Sequence, residues 1–312
     1  MQLRIFTEPQ QGATYDQLAA FARLTEELGF DGFFRSDHFL VMGDVDGLPG
    51  PTDAWLTLAA IARETKRVRL GTLLTSATFR SPGLLAISVA QVDHMSAGRI
   101  ELGLGTGWYE PEHTAQGVEF PPLGARFERL EEQLAIVTGL WSTPDGSTFS
   151  FDGHHYQLRD SPALPKPVQR HLPIIVGGAG TQRTPRLAAR YASEFNVPWP
   201  AGDTYTGAIG HVKAACDAAG RDWEATMTWS VALYVCCGAN KAEVARRSAG
   251  VPSDFDELAQ LGAVGSPSQV VEKLRAFADA GASRAYLQML DVDDHDHLRL
   301  IAEEVAPHLA DA

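Results

Sequence analysis

The stretch ELGLGTGWYEPEH at residues 101–113 places three glycines at alternate positions after a short apolar run. Bare backbone of this kind is typical of a nucleotide-binding turn or of a strand end that lies against a flat ligand. A dinucleotide loop needs Gly-x-Gly-x-x-Gly at the start of a helix. Here Trp108 stands at the third glycine position, and we expect Tyr109, Glu110 and Pro111 to form a loop. The dinucleotide loop is therefore excluded, and the missing Lys-Ser/Thr pair excludes a P-loop.

Strand-like and helix-like segments alternate on both sides of this stretch, separated by Gly and Pro. Each crossover helix of a parallel sheet covers one face, so this alternation predicts a parallel sheet. Eight such units in 312 residues predict an α/β fold, the (β/α)8 TIM barrel, with a doubly wound open sheet as the alternative. The predicted strands are 3–6, 31–39, 68–75, 99–105, 173–178, 193–199, 227–237 and 283–290.

The regular alternation predicts a single barrel domain over residues 1–312. Residues 142–171 interrupt it between the fourth helix and the fifth strand, and they are rich in Pro, Asp, Ser and aromatic residues. We expect an insertion there, with a small hairpin around FDGHHY. The helix at 51–66 is expected to begin with Thr52 as its cap.

Composition excludes several classes of protein. The net charge is -13 and no basic stretch stands out, which argues against a nucleic-acid partner. No apolar window approaches the length of a membrane span and the N-terminus carries no cleavage signal, so we expect a cytoplasmic protein. The neighbouring Cys236 and Cys237 are expected to be buried hydrophobes and not a redox pair. The acidic run DVDDHDH at 291–297 is interpreted as helix capping, and no metal site is expected.

The ends of the predicted strands carry the candidate site, because a barrel builds its active site at the C-terminal ends of its strands. Gly103 is expected to fit the crowded barrel interior. Gly105, Thr106 and Gly107 are expected to contact a ligand. A second loop could bind phosphate through successive N–H groups and a hydroxyl, or could be a plain turn into the next helix. Its members are Gly177, Gly178, Ala179, Gly180 and Thr181.

Four motifs in this order resemble the bacterial luciferase-like flavin and deazaflavin oxidoreductases, and most closely the branch that uses coenzyme F420. They are FRSDHF (34–39), GTLLTSATFRSP (71–82), DHMSAGRIELGLGTGWYEPEH (93–113) and IIVGGAGTQRTPRLAARYA (174–192). The resemblance runs from the first strand to the last helix and agrees with a barrel. It implies a homodimer that transfers a hydride between the deazaflavin C5 and a small organic substrate.

The resemblance also implies roles for particular residues. Asp37 and His38 match the family's Asp-His pair, in which the His accepts a proton beside the hydride path, a role suited to a group that titrates near neutrality. A bulge with a non-proline cis peptide is implied at Leu73-Leu74, behind the cofactor ring. Ser76 would contact the ring or its tail, and the loop at 177–181 would hold the cofactor phosphate.

Two positions depart from the family pattern of the sugar-phosphate dehydrogenases. Met42 stands where they have Trp, and Trp108 stands where they have a Glu directly after Gly-Thr-Gly. Glu110, two residues later, is the candidate acidic catalytic residue. Phe39, Met42, Trp108 and Tyr109 therefore predict a pocket for an apolar or aromatic substrate.

Three other functions are weighed against hydride transfer by a deazaflavin. An FMN-dependent monooxygenase of the same superfamily, using reduced FMN and O2, would share the barrel and the phosphate loop. An aldolase or lyase would need a Schiff-base Lys or a metal set at strand ends, and neither is evident. A non-catalytic cofactor-binding relative would keep binding without turnover.

Overall fold

Eight parallel strands close into a ring in the computed structural model, which describes residues 1–251 and 255–310. In chain order the strands are β1 (Gln2–Thr7), β2 (Gly32–Arg35), β3 (Arg69–Thr72), β4 (Thr75–Ser76), β5 (Ile100–Gly105), β6 (Phe149–Asp152), β7 (Gln157–Ser161), β8 (Ile174–Gly177), β9 (Glu194–Pro198), β10 (Thr228–Cys237), β11 (Ala263–Gly265) and β12 (Arg284–Met289). The ring runs β1-β2-β3-β5-β8-β9-β10-β12, and β12 pairs back with β1. The barrel prediction is confirmed, and the open sheet is excluded.

Helices surround the ring and bury their apolar faces against its outer surface, as Leu18 of the first helix and Leu58 of the second illustrate. They are α1 (Tyr15–Glu27), α2 (Ala54–Glu64), α3 (Pro82–Ser96), α4 (Glu110–Gln116), α5 (Leu123–Ser142), α6 (Arg183–Tyr191), α7 (Thr204–Ala218), α8 (Trp223–Thr226), α9 (Lys241–Ser248), α10 (Phe255–Leu261), α11 (Pro267–Asp279) and α12 (His295–Glu304). Within the described ranges, none of these helices combines the length and apolarity that crossing a bilayer requires.

Two local predictions are wrong. The cap of α2 is Asp53, because the helix begins at Ala54 and the Asp53 side chain accepts from the Leu56 N–H; the Thr52 hydroxyl accepts from the Arg35 guanidinium instead. The segment after Tyr109 is not a loop but the helix α4, with Pro in its first turn, where a missing N–H costs nothing. The dinucleotide loop remains excluded by Trp108.

Two segments leave the barrel. The predicted hairpin is confirmed, because β6 and β7 pair antiparallel within 142–171 as a separate two-stranded sheet. The sequence did not predict the second excursion, in which α9, α10 and β11 follow β10 before α11 begins. There β11 pairs with the last residues of β10 and extends the sheet beyond the ring.

The stretch ELGLG belongs to β5, and its alternate residues lie at three levels of the barrel interior. Glu101 reaches the floor at the N-terminal ends of the strands, where it binds Arg4. At the middle level a Cβ on Gly103 would lie 2.1 Å from the Thr72 carbonyl oxygen, so only glycine fits beside β3. Gly105 lies at the rim. A layer of side chains fills the interior between floor and rim: Phe6, Phe34, Leu73, Ile175, Ala232 and Tyr286.

A buried ion cluster closes the floor. The Arg4 side chain is 1% exposed and donates to both carboxylate oxygens of Glu101, at 2.6 and 3.0 Å, and to the Asp31 carboxylate at 2.6 Å. Its guanidinium also donates to the Tyr286 hydroxyl, and the Glu194 carboxylate lies 3.9 Å away. Burial opposes the charged form of Arg4, but the surrounding acidic groups outweigh it and raise its pKa.

The cysteines and the acidic run near the C-terminus have structural roles. Cys236 and Cys237 are free and buried, and burial raises the pKa of each thiol to about 11. This agrees with the prediction that they are buried hydrophobic residues and not a redox pair. Asp294 caps α12 by accepting from the His297 N–H, and it pairs with Arg247 at 2.8 Å. The capping interpretation of 291–297 is confirmed.

We expect Arg4→Met to lower the free energy of unfolding by about 3–5 kcal/mol, because it leaves buried carboxylates without their central cation. Urea denaturation followed by circular dichroism measures the change. The control Arg23→Met removes an ion pair with Glu64 whose side chains are 46% and 34% exposed, and it should cost less than about 1 kcal/mol. A loss in Arg4→Met no larger than in the control would contradict a stabilising floor.

Candidate active site

One cavity opens at the C-terminal ends of the barrel strands. Its empty volume is about 890 Å³ with the mouth included, within the range of small-molecule sites. Many of the residues predicted from strand ends line it together: Asp37, His38, Leu73, Leu74, Ser76, Gly105, Thr106, Gly107, Trp108, Gly177 and Gly178. The prediction of a shared rim therefore agrees with the geometry.

The wall between β3 and β5 consists of an unusual backbone. The peptide bond between Leu73 and Leu74 is cis, as the resemblance implies, and β4 resumes pairing with β5 beyond it. A Cβ on Gly105 would lie 3.1 Å from the Leu74 side chain, and one on Gly107 would lie 2.2 Å from the Ser76 hydroxyl. Gly107 also has φ +76°, which disfavours other residues. The two glycines of this wall carry no side chains, so bare backbone packs directly against Leu74 and Ser76.

The second glycine loop leaves the cavity toward α6. Gly177 and Gly178 line the cavity, whereas Ala179, Gly180 and Thr181 are exposed and lead to the first residue of the helix. In the described part of the chain, the backbone N–H groups of these three exposed residues donate to no protein acceptor. Successive free N–H groups before a helix are suited to an anion.

Asp37 is held by a buried network. Its carboxylate accepts from the Thr75 hydroxyl at 2.8 Å and from the Arg80 guanidinium at 2.5 and 3.2 Å. Arg80 also binds Asp53, the cap of α2, at 2.6 Å. Asp37 is only 1% exposed, and these contacts join the end of β2 to the starts of α2 and α3. The arrangement suits a residue that positions its neighbour His38.

His38 is paired with an acidic residue that the sequence analysis did not select. Its Nδ1 lies 2.9 Å from Oε1 of Glu112, and the other oxygen of that carboxylate accepts from the Phe39 N–H at 2.9 Å. Glu112 lies on α4 and its side chain is 2% exposed. This pairing assigns the proton to Nδ1. Nε2 has no protein partner among the described residues.

The charges around His38 determine its protonation. Burial opposes the charged form, but the hydrogen bond to Glu112 and the negative charges of Glu8, Glu112 and Asp37 outweigh it. The pKa of His38 is therefore raised. A raised pKa extends the protonated state of the His38 ring toward neutral and higher pH. A ring that titrates there can donate or accept a proton.

Glu8 is a second acidic residue of the cavity that the sequence analysis missed. It follows β1 and accepts from the side-chain amides of Gln10, at 2.5 Å, and Gln288, at 2.8 Å. The side-chain amide oxygen of Gln288 in turn accepts from the Trp199 ring N–H at 2.8 Å. This chain of bonds fixes one side of the cavity across the point where β1 meets β12.

The remaining predicted site residues lie around the mouth or outside it. Glu110 is exposed at the start of α4, and Glu112 makes the contact with His38 instead. Trp108 is 62% exposed, with its ring edge-on to His38 at 5.7 Å between centroids. The Tyr109 hydroxyl donates to the backbone of the loop after β2. Neither Phe39 nor Met42 lines the cavity: Phe39 packs on Phe79, and the Met42 backbone bonds to Gln11.

Comparisons with known proteins agree with the barrel fold. The family model described as luciferase-like monooxygenase matches residues 1–257. An F420-dependent glucose-6-phosphate dehydrogenase of Microbacterium testaceum is 38% identical over 181 residues, which are 58% of this chain and 52% of that protein. The chain spans about half the length of this and other curated relatives of the same name.

Two solved structures share the fold over nearly the whole chain. An F420-dependent secondary alcohol dehydrogenase in complex with an F420-acetone adduct matches with a TM-score of 0.85 at 20% identity, covering 99% of this chain and 98% of that one. The monooxygenase RslO1 from Streptomyces bottropensis matches with a TM-score of 0.81 at 24% identity, covering 99% and 100%. At these identities the likeness establishes the barrel and not the reaction.

We expect Glu112→Gln to lower the pKa of His38, because it removes the adjacent negative charge while keeping an acceptor for the Phe39 N–H. Histidine-selective NMR titration measures the pKa, with His38→Gln identifying the resonance. In the variant His38 should lose its proton at a lower pH than in the wild type. The matched control Glu110→Gln, on the same helix but exposed, should leave the pKa unchanged. Equal effects of the two changes would contradict the pairing.

Proposed function

The chain belongs to the luciferase-like monooxygenase family, and on that premise we propose that it is a coenzyme F420-dependent oxidoreductase. It would transfer a hydride between the deazaflavin C5 and a small uncharged substrate, apolar or aromatic. The observation that carries the proposal is the His38–Glu112 pair at a cavity walled by bare glycine backbone. A positioned proton donor or acceptor beside a flat-ligand wall is what hydride transfer with proton exchange needs.

The residues present fit a flat tricyclic cofactor with a phosphate. The wall of Leu74, Gly105 and Gly107 offers a narrow apolar surface for a ring, because the glycines leave no side chains in its way. The exposed N–H groups at 179–181, before α6, would hold the phosphate. When bound, the deazaflavin supplies a carbon that accepts or donates a hydride.

His38 would hold or take the proton at Nε2. Glu112 keeps Nδ1 protonated and so leaves Nε2 as the basic atom that faces the cavity. Asp37 would act as a positioning residue, since both of its oxygens are committed to Arg80 and Thr75. The burial of Asp37 and Glu112 in the barrel wall strengthens their electrostatic effects on His38.

The charge of the cavity supports an uncharged substrate. Among the described residues that line it, none is Lys or Arg, whereas three are the acids Glu8, Asp37 and Glu112. Arg80, which binds one of them, is already paired with two carboxylates. A phosphomonoester substrate would meet negative charge without a free cation. The proposed substrate therefore differs from glucose 6-phosphate, the compound for which the curated relatives are named.

The second candidate function is an FMN-dependent monooxygenase. The family model that matches the chain is described as a luciferase-like monooxygenase, and the glycine wall would serve an isoalloxazine ring as well as a deazaflavin ring. Fluorescence titration of the purified chain with oxidised coenzyme F420 and, separately, with FMN distinguishes the two. Tight binding of F420 alone is expected. Tight binding of FMN alone would overturn the first proposal in favour of the second.

We expect Gly107→Ala to weaken cofactor binding in the same titration, because its new methyl group displaces the Ser76 hydroxyl from the wall. The matched control is Gly117→Ala. Gly117 also has a positive φ, +67°, but nothing lies within 4 Å of its Cβ position. Both variants carry similar backbone strain of about 1 kcal/mol, so a difference in binding reports the wall. Identical binding by the two variants would refute it.

We expect His38→Ala to lower turnover by about 10²–10⁴-fold, the usual contribution of a general acid or base, while cofactor binding stays close to that of the wild type. Steady-state assays against a panel of alcohols, imines and alkenes measure turnover. The control His211→Ala changes an exposed histidine on α7. Unchanged turnover in His38→Ala would remove the proposed proton role and leave the cofactor assignment standing.

A further inference from the structure

The turn of the β6–β7 hairpin is fixed against α5. Both oxygens of the Glu132 carboxylate on that helix accept backbone N–H groups of the turn, from His154 at 2.7 Å, His155 at 3.0 Å and Tyr156 at 2.9 Å. A Cβ on Gly153 would lie 2.4 Å from the same carboxylate, so the close approach seen here uses the absence of a side chain at this position. The two adjacent histidines are therefore presented to the helix on a constrained backbone.

Three side chains of the types that bind metals meet at this junction, one turn of α5 before Glu132. His155 Nε2 lies 3.1 Å from Oε2 of Glu128, His154 Nδ1 lies 4.0 Å from the same oxygen, and the two ring nitrogens are 3.4 Å apart. All three ligand atoms lie within 4.8 Å of one another. Within the described ranges this is the one group of three or more His, Cys, Asp or Glu side chains with such spacing.

We propose that Glu128, His154 and His155 bind a divalent transition metal ion of the Zn²⁺ class. Bonds of about 2.0–2.1 Å to a tetrahedral ion place its ligand atoms about 3.3 Å apart. The observed separations of 3.1, 3.4 and 4.0 Å need only small side-chain adjustments to meet that value. Two imidazoles and one carboxylate leave a fourth position for water. Zn²⁺ accepts this donor set, whereas Mg²⁺ prefers oxygen ligands alone.

The ion would join the hairpin to the outer helix of the barrel. None of its three ligands lines the cavity at the strand ends, so the site is separate from the proposed chemistry. Glu132 would orient the turn without touching the ion, in the way that outer hydrogen bonds hold metal ligands in place. This inference departs from the expectation of no metal, because the sequence alone did not indicate that α5 meets the turn.

Isothermal titration of the full chain, without an affinity tag and stripped of metal with EDTA, tests the site with ZnCl2 and, in a second arm, with MgCl2. We expect one Zn²⁺ per chain and no Mg²⁺ binding. His154→Ala and Glu128→Gln should each weaken Zn²⁺ binding by about tenfold or more. The control His211→Ala, an exposed histidine elsewhere, should bind as the wild type does.

Thermal stability and Co²⁺ absorption provide two further tests of the metal site. Zn²⁺ should raise the Tm of the wild type and of His211→Ala but not of His154→Ala, because binding to the folded state alone stabilises it. Co²⁺ should give the intense visible absorption of a four-coordinate site in the wild type and in His211→Ala but not in His154→Ala. The proposal fails if Zn²⁺ binds His154→Ala as tightly as the wild type, or if the wild type binds no Zn²⁺.

Discussion

The guanidinium of Arg4 joins β1, β5 and β12 at the floor of the barrel, through partners 97 and 282 positions away in sequence. Removing such a charge from water costs several kcal/mol unless paired carboxylates compensate. Asp31 before β2 and Glu101 on β5 provide that compensation, and the Tyr286 hydroxyl of the last strand joins the cluster because β12 stands beside β1. Closure of the ring and burial of this cation are therefore linked. Closure of the ring also gathers the strand ends at the opposite rim, where the cavity opens.

One short strand spans the whole depth of this arrangement. β5 contributes a carboxylate to the floor, bare backbone beside β3 at the middle level and bare backbone again at the rim. Charge stabilises the closed end, and the absence of side chains makes room at the open end. The glycines that first suggest a nucleotide loop thus have two separate causes. Gly103 is required by packing, and Gly105 and Gly107 line the open cavity.

Much of this architecture could be predicted because it depends on local pattern. Apolar runs between Gly and Pro are enough to find eight strands, and their ends are enough to gather His38, Gly107 and Gly177 at one rim. The role of Glu112 was not predictable in this way, because a Pro in the first turn of α4 reads equally well as a loop. Whether Glu110 or Glu112 reaches His38 depends on helix phase.

Other features depend on partners distant in sequence. The Thr52 hydroxyl accepts from the Arg35 guanidinium, a contact that no local pattern predicts. In the sequence Arg4 is an ordinary charged residue of a strand, and its burial becomes evident only in the closed barrel. The pairing of a hairpin turn with α5 likewise appears only in three dimensions. Local pattern determines the elements, and tertiary contacts determine which side chains meet.

The closed floor also has a kinetic consequence. The Arg4 cluster and the packed layer above it leave the rim as the open end of the barrel interior. Under the proposed function, a cofactor and a substrate that share this cavity would use one mouth, and the molecule nearer the floor would arrive first and depart last. A barrel sealed at one end would then impose an ordered sequence of binding and release.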